Sequence, residues 1–322
     1  MTSTAEYRNA SVSASEPDID RIKAIFEIDD AHILTGAAAR GVAWANRRNV
    51  IRRILNRFAR KATSTIWAGS GRPREHSEEY YEEVFSHNNM SVAAQEYLET
   101  YNRPLDQKYY RLADGRYVLS DSRRVHVLTD AIRHQIIAEL APRTLCEVGS
   151  GNGRNLFTIA GRFPDLALTG YEVTENGTRL ARAMQSQDMS RTAFGQMFDI
   201  GACVQDAIRR ISFETASAFS LPCADNTFDV AITSAAISCM SDQVSDALRE
   251  IHRVTRGHII LYEPFNDVNT PLGRLFLRTN KDVSLTVNDV SKQGFEVVSL
   301  IRNIPAMPTH AYGLLLAKVV KP

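Results

Sequence analysis

Cysteine is scarce in this chain. There are four among 322 residues (Cys146, Cys203, Cys223 and Cys239), and no two form a C-x-x-C pair. That scatter excludes a disulfide framework as the source of stability and fits a reducing compartment. Cys146 lies in an apolar stub and reads as a small core residue. Long hydrophobic runs are also missing: none approaches the roughly 20 residues of a spanning helix. Residues 1–18 are rich in Ser, Thr, Ala and Glu, lack the apolar core of a secretory signal, and are expected to be loose. The expected location is therefore the cytoplasm. A dominant charge is absent as well. Lys and Arg number 38 against 37 Asp and Glu, so the net charge of +1 offers nucleic acid no global field.

What is present falls into two rhythms. Up to about residue 121 the pattern is mostly helical. A first helical region spans about 19–62, interrupted at Gly36 and Gly41, and a breaker-rich linker covers 63–78 (Gly69, Gly71, Pro73). A helix is expected over roughly 77–101, and a hairpin-type turn at Ala113-Asp114-Gly115-Arg116 between short extended pieces. A helix from about 123 to 140 leads to Pro142. Beyond it, strands expected near 144–148, 166–171, 211–216, 228–233 and 258–262 alternate with helices, which implies a parallel sheet. Residues 188–210 read as an insertion with a further helix, and 295–303 and 312–320 as two final strands. The expected division is an N-terminal region, 1–121, and a catalytic domain, 122–322.

The most informative stretch is Thr144–Asn155, T-L-C-E-V-G-S-G-N-G-R-N, where a buried strand runs into Gly149, Gly151 and Gly153. Glycine-rich strand-to-helix turns bring backbone close to a cofactor. The dinucleotide fingerprint G-x-G-x-x-G would need glycine at 154, which is arginine. An acid, Glu172, follows at the tip of the second strand, placed to accept two ribose hydroxyls. Residues 217–242 contain Ser217-Ala218, Leu221-Pro222, Asp225 and Phe228-Asp229, with Ser234 ending the fourth strand; Leu248-Arg-Glu-Ile-His-Arg-Val254 comes next.

In this order, E-x-G-x-G-x-G, the strand-tip acid, S-A…L-P…F-D and L-R-E-I-x-R-V resemble the class I S-adenosylmethionine (SAM) methyltransferases over about 142–264. The resemblance implies an α/β, Rossmann-like, seven-stranded, mostly parallel sheet with helices on both faces. It implies SAM as cofactor, with Glu147, Gly149, Ser150, Gly151, Gly153, Asn155, Glu172, Ser217, Ala218 and Ser234 as its binding residues. An N-terminal tyrosine, Tyr81 of the Glu78–Glu83 run, would cover its methionine end. The sequence departs from the family at Ser217, where aspartate is usual and serine is the weaker acceptor, and at Thr255-Arg256-Gly257, a shortened form of the usual turn.

The implied reaction is methyl transfer to oxygen or nitrogen of a small-molecule or sugar-type metabolite. No metal is implied. Glu263, ending strand five, and His310, between the last two strands, are the candidate bases. A non-catalytic SAM-fold subunit that binds a partner is the alternative of a different class; an NAD(P)-dependent reductase is disfavoured by the glycine spacing and the lack of a Tyr-x-x-x-Lys pair. Finally, Arg47, Arg48, Arg52, Arg53, Arg57, Arg60 and Lys61 alternate with Val50, Ile51, Ile54, Leu55 and Phe58, and no acid interrupts them. This basic amphipathic helix suits a surface role, a homodimer contact through the N-terminal helices, or peripheral contact with a membrane or lipid-linked acceptor. RNA is disfavoured, because aromatics are few there.

Overall fold

The structure is a computed structural model describing residues 16–64, 78–103, 107–240, 243–279 and 285–321. Most of the N-terminus expected to be loose and of the expected 63–78 linker lies outside the described residues. The chain opens with α1 (Ile19–Phe26), whose N-terminal amide at Arg21 is capped by the Asp18 carboxylate at 2.8 Å. Glu27 ends it in the left-handed region, φ 53°. After β1 (Ile33–Leu34), α2 runs from Gly36 to Ser64. Gly36 is therefore a helix start, and Gly41 lies inside the helix instead of interrupting it.

The helix expected over 77–101 is two helices, α3 (Glu78–Val84) and α4 (Met90–Glu99). The break is chemical. The Asn89 side chain caps α4 by accepting from the amides of Ser91 and Val92, so the preceding residues leave the helix. Strands β2 (Lys108–Arg111) and β3 (Tyr117–Ser120) form the expected hairpin, and β1 joins β3 to make a small antiparallel sheet. Asp121 then caps α5 (Ser122–Leu140).

The remainder is the large sheet: β4 (Thr144–Val148), α6 (Arg154–Arg162), β5 (Ala167–Glu172), α7 (Glu175–Gln185), α8 (Ala193–Met197), α9 (Gln205–Arg209), β6 (Ser212–Thr215), β7 (Phe228–Ser234), α10 (Val244–Val254), β8 (Thr255–Glu263), α11 (Pro271–Thr279), α12 (Val287–Ser291), β9 (Phe295–Ile301) and β10 (Gly313–Val319). Its order is β6-β5-β4-β7-β8-β10-β9, and only β10 runs antiparallel to its neighbours. The 188–210 insertion holds two short helices, not one.

Two hydrophobic layers cover the sheet. One packs α5 and α6 residues such as Leu128, Ile132, Leu156 and Phe157 on Leu145 and Val230. The other packs Leu248 and Ile251 of α10 on Cys146, Ala231 and Ile259. Adjacent strand residues feed opposite layers, as the period of two requires. The order reverses between β4 and β7, and ligands of open α/β sheets bind outside the carboxyl ends of the strands at such a point.

Thr255-Arg256-Gly257 is not a turn but the start of β8. A Cβ on Gly257 would lie 2.4 Å from the Asp229 carbonyl oxygen. The missing side chain lets β8 lie against β7 directly after α10.

Candidate active site

The glycine loop between β4 and α6 is shaped by steric need. Gly149, Gly151 and Gly153 have φ of 77°, 53° and 80°. A Cβ on Gly149 would meet that of Ala236 at 2.4 Å, and one on Gly153 would meet the Phe213 ring at 2.6 Å. Its amides are already engaged. Gly149 and Ser150 donate to the Tyr171 carbonyl at 2.8 and 3.0 Å, Gly151 to Glu172 Oε2 at 2.8 Å, and Gly153 to the Ser150 carbonyl at 2.9 Å. A pyrophosphate needs free amides and no carboxylate beside them. This loop offers few of the first, and Glu172 holds one of them, so it is better suited to a nucleoside gripped by its ribose than to a pyrophosphate.

Two cavities meet at this loop. The first, about 430 Å³, is lined by Gly149, Gly151, Glu172, Ser217, Ala218 and Ser234 of the residues singled out from sequence, together with Tyr81. Glu172 is buried. Its Oε1 accepts from the Thr174 amide and hydroxyl at 3.1 and 2.7 Å. Oε2, which accepts only from the Gly151 amide, keeps a lone-pair direction for a ribose hydroxyl. Val173 and Phe219, the exposed apolar residues following Glu172 and Ala218, line the same cavity. They suit the two faces of an adenine. Sequence reasoning missed both, although each adjoins a residue it chose. Ser217 Oγ accepts from the Phe219 amide at 3.3 Å.

The second cavity, about 500 Å³, shares Phe85, Gly149, Gly151, Ser234 and Ala235 with the first. It adds Ser150 and Asn155, the rings of Tyr97, Tyr110, Tyr262 and Tyr312, and His126, Asp130, Arg133 and Arg154. Beneath it lies a buried charge cluster. Asp130 pairs with Arg133 at 2.9 Å and Arg154 at 2.6 Å, Arg154 donates to Asn155 Oδ1 at 2.7 Å, and Asn155 Nδ2 donates to Glu147 Oε1 at 2.5 Å. The Ser150 hydroxyl and Glu147 Oε2 are buried without a partner. Burial pushes the Glu147 carboxyl up to about 7, against the Asn155 hydrogen bond and the charges of Arg133 and Arg154. Burial, then Arg154, holds the His126 imidazole down at about 4 despite Asp130. Tyr262 is pushed up to about 12, chiefly by burial.

Four expectations are corrected. Glu147 lines neither cavity; it points to the α6 side of β4 and braces the loop through Asn155. Gly153 likewise lines neither, and its part is to make room for Phe213. Glu263 is no base, because it is fully buried and spent. Its Oε1 accepts from the Thr233 hydroxyl and the amides of Ala236 and Ile237 at 2.9, 3.0 and 3.1 Å, and Oε2 from the Ser238 amide at 3.2 Å. It holds the loop after β7, which lines the first cavity. His310 turns away from both cavities. It stacks on Phe276 of α11 with ring centroids 5.8 Å apart, and burial keeps it near 4.

The α3 run resolves into separate duties. Tyr81 faces the first cavity, its hydroxyl 3.2 Å from Cys239 Sγ. Glu82 accepts from the Asn176 amide at the start of α7 at 3.2 Å, and its carbonyl accepts from the Asn176 side chain at 3.2 Å. Phe85, just past α3, stands at the junction of the cavities, 3.5 Å from where a Gly151 Cβ would be. The other signature residues are braces. Arg253 donates to Asp225 and to the carbonyls of Leu221 and Cys223, and Glu250 accepts from the Leu221 amide at 2.6 Å. These bonds fix the loop that carries Ser217–Phe219.

Residues 146–261 match the family described as a methyltransferase domain. The matched segment is a methyltransferase domain of the class I kind, and SAM is the cofactor of such a domain. No curated protein matches the chain. Similar solved structures include magnesium protoporphyrin IX methyltransferase from Synechocystis PCC 6803 with bound SAH, at 11% identity and TM-score 0.48, covering 76% of this chain and 100% of that one. The [4+2]-cyclase SpnF is similar at 16% identity and TM-score 0.46, with 75% and 97% covered. A putative sarcosine dimethylglycine methyltransferase from Galdieria sulphuraria is similar at 12% identity and TM-score 0.47, with 62% and 89% covered.

Proposed function

We propose that this protein is an enzyme that transfers a methyl group from SAM to oxygen or nitrogen of a small-molecule acceptor, with residues up to 121 serving as the cover of the site. The observation that carries this reading is the pair of cavities joined at Gly149, Gly151, Ser234 and Ala235. The first has the acid and flat apolar walls that a nucleoside needs. The second is ringed by tyrosines, whose faces take the flat carbon face of a sugar or an aromatic ring.

SAM supplies an electrophilic methyl on a sulfonium with a good, neutral leaving group. The protein's work is then alignment and exclusion of water. Glu172 grips the ribose, while Val173 and Phe219 flank the base. Phe85 closes the junction. His126 lines the second cavity and is unprotonated at neutral pH, so its ring nitrogen can accept a hydrogen bond from the acceptor's hydroxyl or amine and aim it at the methyl. An adenosyl group bound without turnover, in a partner-binding subunit, is the competing reading. The four cysteines are all free, which supports a reducing compartment such as the cytoplasm.

Calorimetry with SAM is the first test. Heat is expected from the native chain, and Glu172→Ala should weaken binding by about 10- to 100-fold, the worth of a charged hydrogen bond. Absence of heat from the native chain would sink the reading. Incubation with labelled SAM and a metabolite extract then reveals the acceptor by its gain of one methyl. His126→Ala should lower that turnover by about 100-fold while leaving the SAM heat intact. If SAM binds and no metabolite gains label, the non-catalytic reading prevails.

A further inference from the structure

Helix α2 has two apolar stripes, and among the described residues only one is packed. Val50 and Ile54 are buried against Phe276 and Leu272 of α11. Trp44, Ile51, Leu55 and Phe58 lie on another face, with exposures of 61%, 39%, 61% and 53%. At 3.6 residues per turn these four fall within an arc of about 60°, so they form one continuous ridge. Arg47 flanks it on one side, Arg48 and Arg52 on the other, all exposed. Arg48 lies over the Trp44 ring, 4.5 Å from its centroid. Arg47, Arg48, Arg52 and Arg53 have no acidic partner among the described residues, and the whole helix sequence contains no acid.

We propose that this face of α2 docks on an anionic lipid surface, with the ridge in the headgroup–acyl boundary and the arginines on lipid phosphates and carboxylates. An apolar ridge of Trp, Phe, Leu and Ile bordered by cations alone is the composition that such a surface selects. A second copy of the chain fits less well. A two-fold contact through the ridge would set Arg47, Arg48 and Arg52 against their own copies. RNA would pair with the arginines but has no use for Ile51 and Leu55 at the centre of the ridge. A relay of contacts connects the helix to the second cavity: α2 packs on α11, Phe276 of α11 stacks on His310, and His310 contacts Tyr312, which lines that cavity.

The test is co-sedimentation of the full chain with vesicles of phosphatidylcholine alone and with about one third phosphatidylserine. Binding is expected to the anionic vesicles, to be at least tenfold weaker on neutral ones, and to weaken at high salt. Leu55→Ser with Phe58→Ser, and separately Arg47→Glu with Arg48→Glu and Arg52→Glu, should each cut binding by at least tenfold. SAM calorimetry, unchanged in both sets, shows that the variants are folded. In a Trp67→Phe background, Trp44 emission should shift to the blue on anionic vesicles. The proposal is overturned by equal binding to neutral vesicles, by no binding at all, or by a chain that is dimeric in solution until Leu55 and Phe58 are replaced. A short RNA that binds more tightly than the anionic vesicles, and equally well to the Leu55/Phe58 variant, also overturns it.

Discussion

A single methyl group separates the three loop glycines from alanine, and its effect should differ at each. At Gly149 the added Cβ would sit 2.4 Å from that of Ala236, on a backbone with φ of 77°. Gly149→Ala should therefore cost about 1–3 kcal/mol of stability and weaken SAM binding at least tenfold, read by thermal melts and calorimetry. At Gly151 the nearest neighbour would be Phe85 at 3.5 Å, so Gly151→Ala should carry only the backbone penalty, about 1–2 kcal/mol. Equal losses at the two positions would contradict this account. Glu263 offers a complementary case. Glu263→Ala leaves the amides of Ala236, Ile237 and Ser238 without their acceptor. It should lower stability by about 3 kcal/mol or more. Had Glu263 been a base, the same substitution would instead spare the fold and abolish turnover.

Among the elements, α3 is the one whose placement assembles the site. It is a seven-residue helix, too short to be stable alone, and Glu82 ties it to the positive end of α7. Glu82→Ala should release it. Hydrogen exchange over residues 78–85 is expected to quicken and SAM affinity to fall about tenfold, the equivalent of about 1.4 kcal/mol. Conversely, SAM should slow exchange there in the native chain. Exchange indifferent to SAM would mean that Tyr81 and Phe85 do not close on the cofactor. The Glu-Glu-Tyr-Tyr-Glu-Glu run gave no means of choosing between a tyrosine over the ligand and a merely solvated helix. Which side chain faces the cavity depends on the docking of α3 against α7, a contact nearly a hundred residues away in sequence. The break before α4 was missed, although Asn88-Asn89 offered a cap in the sequence.

Over the whole molecule, buried titratable groups set the response to acid. His126, His134 and His310 are held down to about 4 by burial, and His258 is lowered too. Between about pH 6.5 and 4 the unfolded chain binds protons that the folded one refuses, so these groups remove stability as pH falls through that window. Glu147, raised to about 7, and Glu263, also raised, act in the opposite sense, because the folded chain keeps protons that the unfolded one has lost. Four imidazoles outweigh two carboxyls among the described residues. Urea unfolding at about pH 4.5, 5.5 and 6.5 should show stability rising with pH, and Glu147→Gln should steepen the rise. A flat or falling profile would refute this balance.

The glycine spacing, the acid at the strand tip and the alternation of strands and helices were legible from sequence because each is a local need: a backbone turn, a carboxylate at a strand end, a period of two or 3.6. They determined the sheet class and the cofactor. Tertiary structure alone decided which side chains face the cavities. It put β10 between β8 and β9, spent Glu263 on the loop after β7, turned His310 toward α11, and brought His126 of α5 to the second cavity. Those outcomes rest on contacts between residues far apart in the chain, where the same carboxylate or imidazole can serve as brace or base according to what packs against it.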